Sequence, residues 1–187
     1  MESTSYHRRG EGDKGWLSGG LLLTPILNHE NIIEYCKRPF KSGDHMDQEL
    51  TRRWNARVKE EDYVLHLGDF NFKRSKRGYE YYADQLNGHI ILIRGNHDEK
   101  NDTRSKLTAC VVNHGGIDWY CQHRPTHMFK YNLCGHVHEL FKVRRKGPFV
   151  VVNVGVDVWD FYPIDIQEIL QAVEEERKQW EGKKGSE

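Results

Sequence analysis

The sequence lacks the features that mark secreted and membrane-spanning proteins. It has four cysteines in 187 residues, and no two are spaced as Cys-x-x-Cys, which argues against a disulfide framework and a cysteine-rich structural zinc site. No apolar run approaches the roughly 20 residues of a membrane-spanning helix. Positive and negative side chains number 28 each, so net charge gives no reason to expect a polyanionic partner. We therefore predict a protein of the reducing cytoplasm without a membrane partner.

The chain divides into three stretches of different composition. Residues 1–20 are rich in Gly, Ser and charge and show no periodicity, so we predict that they are disordered or foreign to the native fold. Residues 21–180 have the length and apolar content of a single domain with its own core. Residues 181–187 are predicted to be a polar, frayed tail.

Apolar patterns within residues 21–180 alternate between helices and strands at first and later indicate mostly strands. Two predicted helices cover residues 30–36 and 78–86. Between them, a helix capped by Ser42 or Asp44 is predicted from the apolar face Met46, Leu50, Trp54 and Val58. A last helix is predicted to begin at the Asp165-x-x-Glu168 capping box. The predicted strands cover residues 63–67, 89–93, 110–112, 117–121, 131–134, 140–143 and 149–154. This order predicts an α/β (α+β) fold with mixed sheets.

Three of the strand-like runs end in glycine followed by residues that can bind a metal. They run into Gly68-Asp69, Gly95-Asn96-His97-Asp98 and Gly135-His136-Val137-His138, and His123 lies between the last two. Ligands bind at the carboxyl ends of strands in open α/β sheets. An Asp after Gly is by itself usually a turn residue, and a lone His is more often hydrogen-bonded than a ligand. Three such segments in this order predict a metal site.

These motifs resemble the signature of the calcineurin-like metallophosphoesterases, over residues 28 to 170. Three flanking segments, Tyr35–Phe40, His66–Phe70 and Asn153–Trp159, resemble the small single-domain phage and bacterial members. The resemblance implies a four-layer αββα sandwich, in which two facing mixed β-sheets are flanked by helices and loops at one sheet edge carry the site. It also implies two divalent ions such as Mn, Fe or Zn, which suit mixed oxygen and nitrogen donors.

The resemblance also implies a role for each motif residue. Asp69 is expected to bridge the two ions, Asn96, His123 and His136 to complete one site, and His138 to hold the second ion. His97 is expected to protonate the leaving group, with Asp98 orienting it. If His136-Val137-His138 is strand-like, both imidazoles point the same way. Arg38 and Arg124 adjoin motif residues and are predicted to contact substrate phosphate. Asn153 is predicted to support the site rather than to be only a turn residue.

The sequence departs from the family at its first motif. The family opens with Asp-x-His, whereas Thr24 and Ile26 stand at those positions, and neither can replace the missing ligands. His29 is a candidate helper ligand. Plausible codons for Leu22 to Leu27 spell Phe-Thr-Asp-Pro-His-Phe in a shifted frame, so one hypothesis is a frameshift, which would also explain the unusual residues 1–20. The alternative is genuine loss in a degenerate copy that holds only one ion.

The resulting expectation is a metal-dependent phosphoesterase that hydrolyses a phosphomonoester or phosphodiester by a metal-bridged hydroxide, with activity impaired by the altered first motif. The expected partner is a phosphate-ester small molecule or nucleotide. Two basic clusters, residues 73–77 and 142–146, leave a nucleic-acid substrate open, although solvated turns are the favoured interpretation. The alternative function is a catalytically weak or inactive protein of the same fold that binds metal and phosphate.

Overall fold

The computed structural model describes residues 20–23, 27, 29–72, 77–98 and 105–184, without side chains for residues 20–23, 183 and 184. Thr24 and Ile26 lie outside the described residues, as do residues 1–19 and 185–187. The predictions made for those positions therefore stay predictions.

Two mixed β-sheets form the centre of the molecule. The four-stranded sheet has the order β3 (His89–Leu92), β2 (Tyr63–His66), β1 (Gly20–Leu23) and β9 (Ile164–Asp165), in which only β9 is antiparallel to its neighbour. The five-stranded sheet has the order β4 (Ala109–His114), β5 (Ile117–Gln122), β6 (Tyr131–Cys134), β8 (Phe149–Asn153) and β7 (Val143–Lys146), with parallel pairing at β5–β6 and β6–β8. Parallel strands bring their carboxyl ends to the same sheet edge.

The inner faces of the sheets share one apolar core. Leu65 and Ile93, from β2 and the residue after β3, cluster with Trp119 of β5 and Leu133 of β6. All four are buried, because parallel strands covered on both faces exclude water from every side chain. The sheets therefore face each other, and their loops meet along one edge.

Three helices cover the outer face of the four-stranded sheet: α1 (Glu30–Tyr35), α2 (Gly43–Arg57) and α3 (Tyr79–Ala83). Helix α2 buries Met46, Leu50 and Trp54, and Val58 follows as its buried C-cap. Because these residues recur every fourth position, they form one apolar stripe. The Ser42 side chain accepts the His45 backbone N–H, so Ser42 is the N-cap.

Helix α4 (Ile166–Lys184) packs against strands of both sheets. Asp165 accepts the backbone N–H groups of Gln167 and Glu168, and the Glu168 side chain accepts the Asp165 N–H. The predicted capping box is therefore confirmed. The helix continues to Lys184, into the stretch predicted as tail. No helix of the described residues is long and apolar enough to cross a membrane.

The predicted fold of two facing mixed sheets with flanking helices is confirmed. One strand prediction was wrong: the strand expected at residues 140–143 begins at Val143 and extends to Lys146. The Leu140 N–H bonds to the Val137 carbonyl within a turn, and the Asn153 side chain donates to the Phe141 carbonyl. These bonds hold the backbone in a loop that apolar periodicity does not reveal.

Candidate metal centre

The loops after β2 and β3 cross in close contact. Gly68 has φ +94°, a conformation that side chains disfavour, and a Cβ there would lie 2.7 Å from both the Gly95 nitrogen and His123 Nδ1. A Cβ on Gly95 would overlap the backbone nitrogen and Oδ1 of Asp69. Only glycine allows this approach, which brings Asp69 close to the segment that carries Asn96 and His97.

Asp98 fastens the two loops together. Its carboxylate accepts the backbone N–H groups of Asp69 (2.6 Å), Phe70 (3.0 Å) and Gly95 (2.8 Å). Burial raises the pKa of the Asp98 carboxyl, although these three bonds oppose the shift. Nδ1 of His97 is buried without a hydrogen-bond partner among the described residues. The prediction that Asp98 orients His97 is therefore corrected: its hydrogen bonds fix the backbone of both loops.

Replacing Asp98 with Asn is expected to destabilise the metal-free protein by about 1–3 kcal/mol, because an amide cannot accept all three buried N–H groups. Urea unfolding measures the change, and Asp84→Asn on the exposed end of α3 is the matched control. A difference below about 0.5 kcal/mol, the usual size of a surface effect, would contradict this role.

The carboxyl end of the five-stranded sheet supplies the remaining donors. His123 follows β5, and its Nδ1 lies 2.8 Å from the Leu67 carbonyl. Since a carbonyl only accepts, Nδ1 carries a proton, and Nε2 can present an electron pair to a cation when it is not itself protonated. That Nε2 lies 3.1 Å from each of Asp69 Oδ2, Asn96 Oδ1 and His136 Nδ1.

Three atoms that can donate electron pairs, Asp69 Oδ2, Asn96 Oδ1 and His123 Nε2, thus converge in a small volume. His136 Nδ1 would join them once the proton that it carries while Nε2 accepts from Arg124 is displaced. Carboxylate and amide oxygens beside an imidazole electron pair repel one another unless a proton or cation lies between them. Ligand atoms of Asp69, His123 and His136 all lie within 4.8 Å of one another. Mixed oxygen and imidazole donors suit divalent Mn, Fe or Zn. These residues fit a divalent metal ion, and they come from both sheets.

Electrostatics favour the metal-binding forms of two of these groups. Burial alone would raise the pKa of the Asp69 carboxyl, but hydrogen bonding and charge interaction with His123 outweigh it and lower that pKa. Burial, helped by the charges of His123 and Arg124, lowers the pKa of His136 to about 4. Asp69 is therefore ionised and His136 neutral near pH 7, the states in which they bind metals.

The segment from His136 to His138 is a loop and not strand-like, so that prediction was wrong. His136 has φ +62° and His138 has φ +45°, both in the left-handed region. The two imidazoles consequently reach different neighbours: His136 contacts His123, and His138 Nδ1 lies 3.7 Å from Asp157 Oδ2. Asn153 donates from Nδ2 to the His138 carbonyl at 2.6 Å, so it supports this loop.

His97 and His29 form the other side of the centre. The His97 backbone N–H donates to Asp69 Oδ1 at 2.7 Å, and its Nε2 lies 4.0 Å from Asp69 Oδ2. The ring centroids of His29 and His97 are 6.1 Å apart. His29 Nδ1 accepts the Ile32 N–H at 3.0 Å as the N-cap of α1. The proton of the neutral ring is therefore on Nε2, and His29 is not available as the helper ligand that we predicted.

His29 should make the protein less stable in acid. Burial, the largest cause, lowers the pKa of His29 from 6.5 to about 4. The unfolded chain therefore takes up a proton between these values while the folded chain does not, so the free energy of unfolding falls as the pH decreases from 6.5 to 4. His29→Asn keeps an N-cap but cannot titrate. In urea unfolding at several pH values, the free energy of unfolding of this variant should fall less steeply with decreasing pH than that of the unaltered protein. Equal slopes for both proteins would contradict the prediction.

The two arginines predicted to contact phosphate occupy different environments. Arg124 is exposed and donates to His136 Nε2 at 2.7 Å and to Asn96 Oδ1 at 3.2 Å. It lines a cleft of about 280 Å³ beside Asn96 and His123. Arg38 instead has a fully buried side chain in an ion pair with Asp157. The phosphate-binding prediction for Arg38 is therefore corrected, because its guanidinium is committed to that carboxylate.

Asp157 is the residue of this region that sequence reasoning missed. It lies in the short 3-10 helix Val156–Val158, directly after the loop that follows β8. A signal was present, since Asp157 is an acidic residue within the otherwise apolar segment Val154–Val158. Because the sequence does not reveal a partner for this charge, Asp157 stands out only as part of the flanking segment Asn153–Trp159.

Two solved structures resemble this chain to different degrees. A protein of unknown function from Aquifex aeolicus has a similar structure, with a TM-score of 0.61, 24% identity, and coverage of 82% of this chain and 98% of that chain. A structurally characterised archaeal phosphodiesterase overlaps more weakly, with a TM-score of 0.41 and 16% identity over 73% of this chain and 82% of that chain.

Sequence comparison identifies the family. An uncharacterized protein of Methanocaldococcus jannaschii is 31% identical over 163 residues, which cover 82% of this chain and 90% of the relative. The model of the calcineurin-like phosphoesterase superfamily domain matches residues 42–160, a range that includes Asp69, Asn96, His123 and His136. The chain thus belongs to the calcineurin-like phosphoesterase superfamily.

Proposed function

We propose that this protein is a metal-dependent phosphoesterase that hydrolyses a phosphomonoester or phosphodiester of a small molecule or nucleotide in the cytoplasm. The observation that carries the proposal is the position of His123 Nε2, 3.1 Å from three other donor atoms of Asp69, Asn96 and His136. Such convergence suits a divalent cation such as Mn²⁺, Fe or Zn²⁺. Family membership supports ester hydrolysis as the reaction.

The proposed ligands divide into a complete and an incomplete set. Asp69, Asn96, His123 and His136 would hold the first ion. Asp69 and His138 would contribute to a second, whose remaining ligands in the family stand where this chain has Thr24 and Ile26. Bound divalent ions would lower the pKa of a water molecule and neutralise charge on the phosphoryl oxygens. The incomplete set predicts weak binding of the second ion and impaired turnover.

Two further side chains are positioned to act on substrate. His97 is partly exposed, lies beside Asp69, and has no carboxylate holding its Nδ1 among the described residues. We propose that it donates a proton to the leaving oxygen. The Arg124 guanidinium lies at the cleft beside Asn96 and His136, where it can bind a phosphate oxygen. Asp98 would contribute indirectly by fixing the loops that carry Asp69 and His97.

The second candidate function is a protein that binds one metal ion and a phosphate ligand with little or no turnover. The observation that favours it is the absence of Asp-x-His at positions 24 and 26. A single ion retains affinity for phosphate but lacks the clamp on the attacking water that two ions provide.

One assay separates the two functions. Purified protein is incubated with bis(p-nitrophenyl) phosphate or p-nitrophenyl phosphate, with and without Mn²⁺. Turnover that requires Mn²⁺ and falls by about 100-fold or more in His97→Ala supports the enzyme, whereas tight Mn²⁺ binding without turnover supports the binding protein. His127→Ala, an exposed histidine outside the site, is the matched control.

In Arg124→Gln, a raised KM is expected if that guanidinium binds the substrate phosphate.

A further inference from the structure

Arg38 and Asp157 form a buried ion pair between residues 119 positions apart. Arg38 Nε donates to Asp157 Oδ1 at 2.7 Å and Nη2 donates to Oδ2 at 2.8 Å. The two side chains are 0% and 4% exposed. Two parallel bonds from one guanidinium fix the plane of the carboxylate, so Asp157 cannot rotate. Packing alone does not require such a pair, since apolar residues of similar volume often stabilise a protein as well.

The imidazole of His138 lies beside the fixed carboxylate. Asp157 Oδ2 lies 3.7 Å from His138 Nδ1. Burial alone would raise the pKa of the Asp157 carboxyl, but the nearby His138 imidazole and the hydrogen-bonded Arg38 guanidinium outweigh it and lower that pKa. The loop backbone is fixed separately, because Asn153 donates to the His138 carbonyl. The backbone of His138 is thus hydrogen-bonded to one side chain, and its ring lies beside another.

We infer that Asp157 is a positioning residue for His138, and that Arg38 holds Asp157 in the required orientation. With Nδ1 facing the carboxylate at 3.7 Å, the charge of Asp157 favours the tautomer that carries its proton on Nδ1, so a neutral His138 ring would have its electron pair at Nε2, the ring nitrogen farther from Asp157. This deepens the proposed function, on which it rests, because an electron pair at Nε2 is what a ligand of the second ion must present. It also gives the buried charge of Arg38 a purpose other than substrate binding.

The centre already contains a parallel arrangement at His123. There, Nδ1 faces the Leu67 carbonyl and Nε2 faces the other donor atoms. In His138, the carboxylate of Asp157 takes the place of that carbonyl. Each of the two histidines thus has an oxygen atom beside Nδ1, and in each case that oxygen favours the Nδ1–H tautomer.

The tautomer of His138 can be measured directly in the full-length protein without metal. Long-range ¹H–¹⁵N correlation spectra distinguish Nδ1–H from Nε2–H in neutral imidazoles, and His138→Gln assigns the signal. We expect His138 to be Nδ1–H in the unaltered protein and to shift towards Nε2–H in Asp157→Asn. His123, whose Nδ1 faces a backbone carbonyl, is the internal control and should not change.

A second variant keeps the inference testable if Asp157→Asn leaves Arg38 buried and unpaired and the protein unfolds. Arg38→Met combined with Asp157→Asn removes both charges, and the tautomer shift should persist. An Nε2–H tautomer of His138 in the unaltered protein, or no shift in either folded variant, would overturn the inference. Because this readout needs neither metal nor turnover, an inactive protein with the expected tautomer would reject the proposed function separately.

Discussion

Restoring the first motif by Thr24→Asp with Ile26→His is expected to raise kcat/KM for a chromogenic phosphodiester by at least about 100-fold. Even residues that only orient metal ligands change metal affinity or activity by about 10–100-fold, so two direct ligands should exceed that range. The described residues on either side of the motif pair with residues that flank Asp69: Leu23 pairs in register with His66, and Leu27 forms a bridge with Asn71. Metal analysis should show the uptake of a second equivalent of Mn²⁺.

The matched control is Thr24→Asn with Ile26→Gln, which introduces polar side chains without a carboxylate or an imidazole. If the restored protein takes up no more metal than this control, the assignment of positions 24 and 26 is wrong. The nucleotide sequence independently tests how the altered first motif arose. A single-base shift that restores Asp-x-His would favour the frameshift hypothesis, and its absence would favour genuine loss.

Replacing Asp69 with Asn is expected to eliminate Mn²⁺-dependent hydrolysis and to weaken Mn²⁺ binding by at least about 100-fold, since Asp69 supplies the only carboxylate among the four donors at His123. The fold should survive, because an Asn Oδ1 can still accept the His97 backbone N–H. Isothermal titration measures the Mn²⁺ affinity, and Asp84→Asn provides the control. An unchanged dissociation constant would place the metal elsewhere.

The parts of the structure that local patterns specify were predictable from the sequence. The stripe of Met46, Leu50 and Trp54 predicted α2, and the Asp165-x-x-Glu168 pattern predicted the start of α4. Glycine before a polar residue at the end of an apolar run predicted the loop that carries Asp69. In each case neighbours within a few positions determine the outcome, so periodicity and capping are sufficient.

The partners of buried polar groups could not be predicted, because tertiary packing selects them. Asp98 bonds to backbone groups of another loop, and nothing in Gly95-Asn96-His97-Asp98 indicates them. The Arg38–Asp157 pair joins positions 119 residues apart. The left-handed backbone of His136 and His138 is equally hidden, since a positive φ is uncommon for residues other than glycine and nothing in the local pattern marks these two positions.

The origin of the metal donors in two sheets has a thermodynamic consequence. Asp69 and Asn96 follow strands of the four-stranded sheet, whereas His123 and His136 follow strands of the five-stranded sheet. Binding of an ion by these residues would therefore be linked to the docking of one sheet on the other. Free ion at 100 times its dissociation constant would add about 2.7 kcal/mol to the free energy of unfolding. Chelation would accordingly loosen the contact between the sheets before it affects either sheet alone.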